Sequence, residues 1–250
     1  MRISVMQDAA AVADEGARVF TASAIEAIGR EGRFTVALSG GSTPRILHAR
    51  LADANGPFRS RVAWQSCEFF WGDERHVPPD HRDSNYRMAD EAMLSHVPVE
   101  TRRVHRVQSE QPDAAVAASL YEAELRRTLA ADREIPRFDL ILLGLGPDGH
   151  TASLFPGTDA LSERRRLFAA NRVESLGTDR ITATYPLLNA ARQVVFVVAG
   201  AEKAPAVRAV LQPDANEPIL PARLVTPERG TLHWLLDRAA ASLLTGARGE

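Results

Sequence analysis

Residues 138–146, FDLILLGLG, constrain the fold more than any other stretch of this chain. The run is almost wholly apolar, so it has no face to offer water, and it ends in glycines. Such a run suits a central parallel strand covered on both sides. Further apolar runs lie at 193–199 (QVVFVVA) and 231–236, with β-rich runs at 33–38 (RFTVAL) and 66–71. Helical patterns separate them. Val12, Val19, Ile25 and Ile28 share one face of a helix over 8–30. Thr43 reads as an N-cap, with Pro44 at the first helical position and Ile46, Leu47 and Leu51 as the apolar face. Helices are also predicted over 85–94, 112–131 and 201–211. Strands alternating with helices predict an α/β sheet layered between helices. No repeat or low-complexity linker interrupts the pattern, so residues 1–250 are expected to form one domain.

Composition narrows the function. The 250 residues are 45% hydrophobic with a formal net charge of −2, so the basic excess of a nucleic-acid binder is missing. Cys67 is the only cysteine, and its apolar surroundings predict a buried structural thiol. No apolar run is long enough to span a bilayer and the N-terminal stretch lacks a signal-peptide core, so a cytoplasmic protein is expected. His48, His96, His105 and His233 have no chemical partners nearby in sequence and read as structural or surface residues. Trp64, Trp71 and Trp234 read as core or pocket walls, and the basic cluster at 164–166 as a solvated face.

Three strand ends carry unusual chemistry, and in an open α/β sheet ligands sit beyond the carboxyl ends of the strands. The first is LSGGSTP at 38–44. Gly40 and Gly41 permit a close approach of the backbone to a ligand. The helix that follows points free N–H groups outward, and Ser42 and Thr43 add hydroxyl donors, which together suit a phosphate. The nucleotide P-loop and dinucleotide glycine patterns are both absent. The second is GDERH at 72–76. Arg75 can hold an anion with two parallel bonds, and Asp73 can accept from a sugar hydroxyl. The third is GLGPDGHTASLFPGT at 144–158. Asp148, two residues before His150, can fix the tautomer and orientation of the imidazole. If His150 opens a helix, the dipole would favour the neutral ring, which is ready to take a proton.

LSGGSTP, FFWGDERHV with SNYRMADEAML behind it, and FDLILLGLGPDGHTASLFPGT together resemble the 6-phosphogluconolactonase family, part of the wider glucosamine-6-phosphate isomerase group. RITATYPLLNAAR and VVFVVAGAEKA extend the resemblance over most of the chain. The resemblance implies a doubly wound, Rossmann-like fold with a mostly parallel sheet sandwiched between helices. It implies hydrolysis of 6-phospho-D-glucono-1,5-lactone in the oxidative pentose phosphate pathway, with no metal or organic cofactor. His150 matches the family's general base and Asp148 its neighbour. Gly40, Gly41, Ser42, Thr43, Arg75 and Lys203 match phosphosugar positions, and Arg180 matches a recurrent arginine. The segment NRVESLGTD departs from the proline-rich stretch expected before RIT.

The expected reaction is attack of water, deprotonated by His150, on the lactone carbonyl. Arg75 or backbone N–H groups of the 146–150 turn would meet the oxyanion. The expected partner is a small phosphosugar lactone, with no nucleic acid or membrane, and the protein is expected to be a monomer or homodimer. Three rivals remain. One is an amino-sugar-phosphate isomerase or deaminase with Asp73 as a carbon base. Such deaminases carry an acid in an Asn-Glu-Pro setting where this chain has Ser153, Leu154, Phe155 and Pro156. Another is a non-catalytic sugar-phosphate sensor. The last is a metal hydrolase built from Asp73, His76, His81, Asp83 and His150, although Pro78 and Pro79 preclude helical ligand spacing.

Overall fold

The computed structural model describes residues 1–129 and 134–246. Nine strands run β1 (Arg2–Met6), β2 (Phe34–Leu38), β3 (Cys67–Trp71), β4 (Asp73–Arg75), β5 (Leu140–Leu143), β6 (Phe168–Val173), β7 (Thr178–Ala183), β8 (Gln193–Val198) and β9 (Thr231–Asp237). Six α-helices are interleaved: α1 (Ala9–Glu31), α2 (Ser42–Ala52), α3 (Asn85–Ala92), α4 (Ala114–Thr128), α5 (Tyr185–Ala190) and α6 (Ala204–Leu211). The predicted helix over 112–131 is α4, capped by Asp113; residues 130 and 131 lie outside the described ones.

Six strands form one sheet in the order β1-β9-β8-β5-β2-β3, and every pairing in it is parallel. The FDLILLGLG run supplies β5, which lies between β2 and β8. The strand period of two sends its neighbours to opposite faces. Ile141 and Leu143 enter a core shared with α4, α5 and α6, while Leu140 and Leu142 enter a second core shared with α1, α2 and α3. All four are fully buried. β8 divides likewise, with Val194, Phe196 and Val198 on one side and Val195 and Val197 on the other. The sheet is therefore covered by helices on both faces, as an uninterrupted apolar strand requires. The sheet is doubly wound: from β2 the chain first builds β3 on one side, then returns to place β5 on the other.

Local chemistry sets the helix ends. Asp8 caps α1 by accepting from Ala11 N–H at 2.9 Å, and Gly32, at φ 72°, closes it in the left-handed conformation. Ile25 was placed on the buried face of this helix but is 48% exposed, and Ile46 of α2 is also on the solvent side. Cys67 is buried, and its apolar surroundings push the thiol up to about 12. His48 and His105 are buried and His96 is exposed, while Trp64, Trp71 and Trp234 lie in the two cores.

Two features were missing from the sequence reading. β1 pairs with β9 at the sheet edge. A separate antiparallel sheet, β4-β7-β6, forms beside the main one. Its β6–β7 hairpin contains the divergent NRVESLGTD segment, turned at Gly177 with φ 61°. Among the described residues no helix is long and apolar enough to cross a membrane.

Candidate active site

The loops after β2, β3, β5 and β8 enclose a cavity of about 250 Å3 at the carboxyl end of the sheet. Gly40, Gly41, Ser42, Thr43, Asp73, Arg75, His150 and Lys203 all line it. These residues are up to 163 positions apart in sequence and meet only because β2, β5 and β8 are neighbours.

The loop after β2 forms a cradle. Helix α2 begins at Ser42 with Gly41 as its N-cap, rather than at Thr43 or Pro44 as the sequence suggested. Gly41 has φ 111°, a conformation that favours glycine, and no side chain caps the helix. The N–H groups of Ser42 and Thr43 therefore lack intrahelical acceptors, which suits an anion. Pro44 falls inside the first turn, where its missing N–H breaks no hydrogen bond. Gly40 has a different reason to be glycine: a Cβ there would collide with the Asn85 carboxamide.

His150 sits after β5. Its Nδ1 lies 2.6 Å from Asp148 Oδ1, and its backbone N–H donates to the same oxygen at 3.2 Å. A carboxylate accepts only, so Nδ1–H donates to it, and in the neutral ring the lone pair is on Nε2. Phe155 stacks on the ring at 4.0 Å between centroids. Gly146 completes the seat, because a Cβ there would overlap the imidazole. His150 opens no helix, contrary to the expectation: residues 151 and 154 form an isolated bridge. The turn also contributes fewer donors than expected. The N–H groups of Gly146, Gly149 and His150 already donate inside the loop, and Pro147 has none.

The GDERH segment divides its labour. Glu74 is buried and accepts from the N–H groups of Arg75, Asn85 and Tyr86 and from the Ser84 hydroxyl, so it anchors the start of α3. Burial nonetheless raises its carboxyl above the usual range. Asp73, 7% exposed, faces the cavity and accepts from Ser153 Oγ at 2.6 Å. Arg75 donates to the Asp83 carbonyl at 2.6 Å. Arg180 does not line the cavity. It is the cross-strand neighbour of Arg75, and burial followed by the charge of Arg75 lowers its pKa. Neither Arg180 nor Lys203 has an ion pair with a carboxylate among the described residues. Lys203 lines the cavity as a cation with no ion pair among the described residues, which favours an anionic ligand.

Residues proposed as metal ligands do not share a centre. His76 bonds the Gln111 carbonyl, His81 lies against Asp83, and His150 is paired with Asp148. Among the described residues no group of three or more His, Cys, Asp or Glu side chains could hold a metal ion.

Two lining residues escaped the sequence reading. Ser39 is 4% exposed, borders the cavity, and its hydroxyl has no partner. Asn85 is buried and donates to the Asp73 carbonyl at 2.9 Å. Ser39 stands beside the glycine pair, a visible signal. Asn85 opens a helix 45 residues later and nothing local marks it.

The chain is similar to known proteins over most of its length. Residues 7–234 match the family model described as glucosamine-6-phosphate isomerases/6-phosphogluconolactonase. The chain is 46% identical to a 6-phosphogluconolactonase of Nostoc sp. over 88% of both chains. It is 41% identical to a human 6-phosphogluconolactonase over 87% of this chain and 83% of that one. Its structure is similar to that of 6-phosphogluconolactonase from Trypanosoma cruzi, with a TM-score of 0.85 at 29% identity, covering 98% of this chain and 97% of that one.

Proposed function

The chain belongs to the glucosamine-6-phosphate isomerase/6-phosphogluconolactonase family, and from that premise we propose that it hydrolyses 6-phospho-D-glucono-1,5-lactone to 6-phosphogluconate. One observation carries the reading: an imidazole anchored through Nδ1 faces the same cavity as a helix N-terminus without a side-chain cap and a lysine with no ion pair among the described residues. The cradle of Gly40, Gly41, Ser42 and Thr43, with Lys203, binds the phosphate. The lactone ring then lies toward His150, and Asp73 accepts from a ring hydroxyl.

Nε2 removes a proton from water as its oxygen bonds to the lactone carbonyl carbon. Asp148 stabilises the imidazolium that results. The carbonyl becomes an oxyanion, and Arg75 is the donor best placed for it because the turn's own N–H groups are largely spent. Collapse breaks the bond to the ring oxygen, which takes the proton from Nε2. Water is consumed, the ring opens, and His150 returns to its starting state. These steps use no metal or organic cofactor.

Asp73 Oδ2 accepts from Ser153 Oγ, which leaves Oδ1 on the cavity side for a ring hydroxyl. The stretch Ser153 to Pro156, which matches the setting of the deaminase acid, holds no acid, and its Phe155 packs on the imidazole. Residues 1–250 act as one domain, and the protein works as a cytoplasmic monomer or homodimer.

A coupled assay with freshly made lactone, corrected for spontaneous decay, tests it. His150→Ala is expected to lower kcat by about 10²–10⁴-fold with KM little changed. Wild-type turnover in that variant removes His150 from the mechanism.

A further inference from the structure

Ser153, three residues after His150, is 2% exposed, and each of its polar groups binds a different strand of the small antiparallel sheet. Its N–H donates to Thr182 Oγ1 on β7 at 3.1 Å. Its carbonyl accepts from Asn171 Nδ2 on β6 at 2.8 Å. Its hydroxyl donates to Asp73 Oδ2 at the start of β4 at 2.6 Å. Between Ser153 and His150 lies Ala152, whose φ of 48° is one that residues other than glycine avoid. Strained backbone persists only where its surroundings hold it, and the three bonds of Ser153 provide that hold.

The hydroxyl bond also leads elsewhere. Asp73 is bonded through its carbonyl to Asn85, and Asn85 fills the space that the absent side chain of Gly40 leaves beside the cradle. A buried polar path therefore runs from the His150 loop through Ser153, Asp73 and Asn85 to the glycine cradle. It joins the two halves of the cavity beyond the point where their parent strands β2 and β5 pair directly.

We propose that Ser153 is a positioning residue: its hydroxyl, acting through Asp73, holds the His150 turn in register with the anion cradle. Ser153 does not line the cavity and is not required to touch the substrate. The inference rests on the lactonase reading given above.

Ser153→Ala keeps the backbone bonds and removes only the link to Asp73. It is expected to lower kcat about tenfold with KM changed less than about threefold, the size of effect typical of one coupled contact. Ser153→Ala made on top of Asp73→Ala should cost nothing further. Ser153→Cys, near-isosteric with a weaker donor, should lose turnover part way and serves if the alanine variant does not fold. Wild-type kcat in Ser153→Cys or Ser153→Ala, or losses that multiply in the double variant, overturn the proposal. A wild type that does not accelerate lactone hydrolysis overturns the reaction and this inference together. An active wild type beside unaffected Ser153 variants overturns the inference alone.

Discussion

The two ends of the main sheet each hold a pocket of similar size, about 250 Å3 at the carboxyl end and about 280 Å3 at the amino end. Their chemistry differs. At the amino end the buried carboxylate of Asp139 accepts from the N–H and hydroxyl of Thr35 and pairs with Arg30 and Arg192. Glu31 joins the same two arginines, and Ser23 donates to Gln193. At the carboxyl end, among the described residues, Lys203 has no ion pair, the Ser39 hydroxyl has no partner, and the first N–H groups of α2 have no intrahelical acceptor. Volume does not separate the two pockets; unmet polar demand does. One end spends its polar groups on stability, and the other keeps them for a ligand.

That contrast can be broken from either side. The largest effect is expected at the carboxyl end, from loss of the His150 base described above. Its counterpart is Asp139→Ala, which strands the buried Thr35 donors and leaves Arg30 and Arg192 to share the Glu31 carboxylate. It should cost about 2–4 kcal/mol of stability while kcat per folded molecule stays at the wild-type value. Urea denaturation beside the lactone assay checks this, and a kcat loss at unchanged stability would erase the distinction. Next in size is Lys203→Ala, which should raise KM roughly 10–100-fold at nearly constant kcat, since it removes one charge-assisted contact. A large fall in kcat at constant KM would contradict its anchoring role.

The smallest effect at neutral pH belongs to His48, on the helix that carries the cradle. It is fully buried with both ring nitrogens unpartnered, and burial lowers its pKa to about 4. The unfolded chain takes up a proton near pH 6.5 whereas the folded ring resists until about 4. The stability tied to the neutral ring is present in full above pH 6.5 and is lost as pH falls from there toward 4, by roughly 3 kcal/mol. His48→Leu should change stability at pH 7 by less than about 1 kcal/mol and flatten the acid side of the curve. Urea midpoints measured between pH 7 and 4 decide it.

How far these features were legible follows from their range in sequence. The central strand was readable because burial on both faces leaves an apolar run within nine residues. The cradle and the histidine loop were readable because glycine must lie close to the group it accommodates. The cap of α2 was misplaced by two residues, since Thr43 is a common capping type but only Gly41 can adopt φ 111°. The small sheet went unread because its short strands are hydrophobic on one side at most and are divided by polar loops. Asn85 and Ser153 stayed hidden for a stronger reason: the Ser153 bond to Asp73 spans 80 residues, and no local pattern encodes a partner that distant.

Gly146 extends what must count as part of the proposed site. It brings no reactive atom, yet the imidazole occupies the volume where any other residue would begin its side chain. The base is thus shaped partly by a void that only the smallest residue leaves. Substitution there would disarm the enzyme with every chemically active group still in the chain.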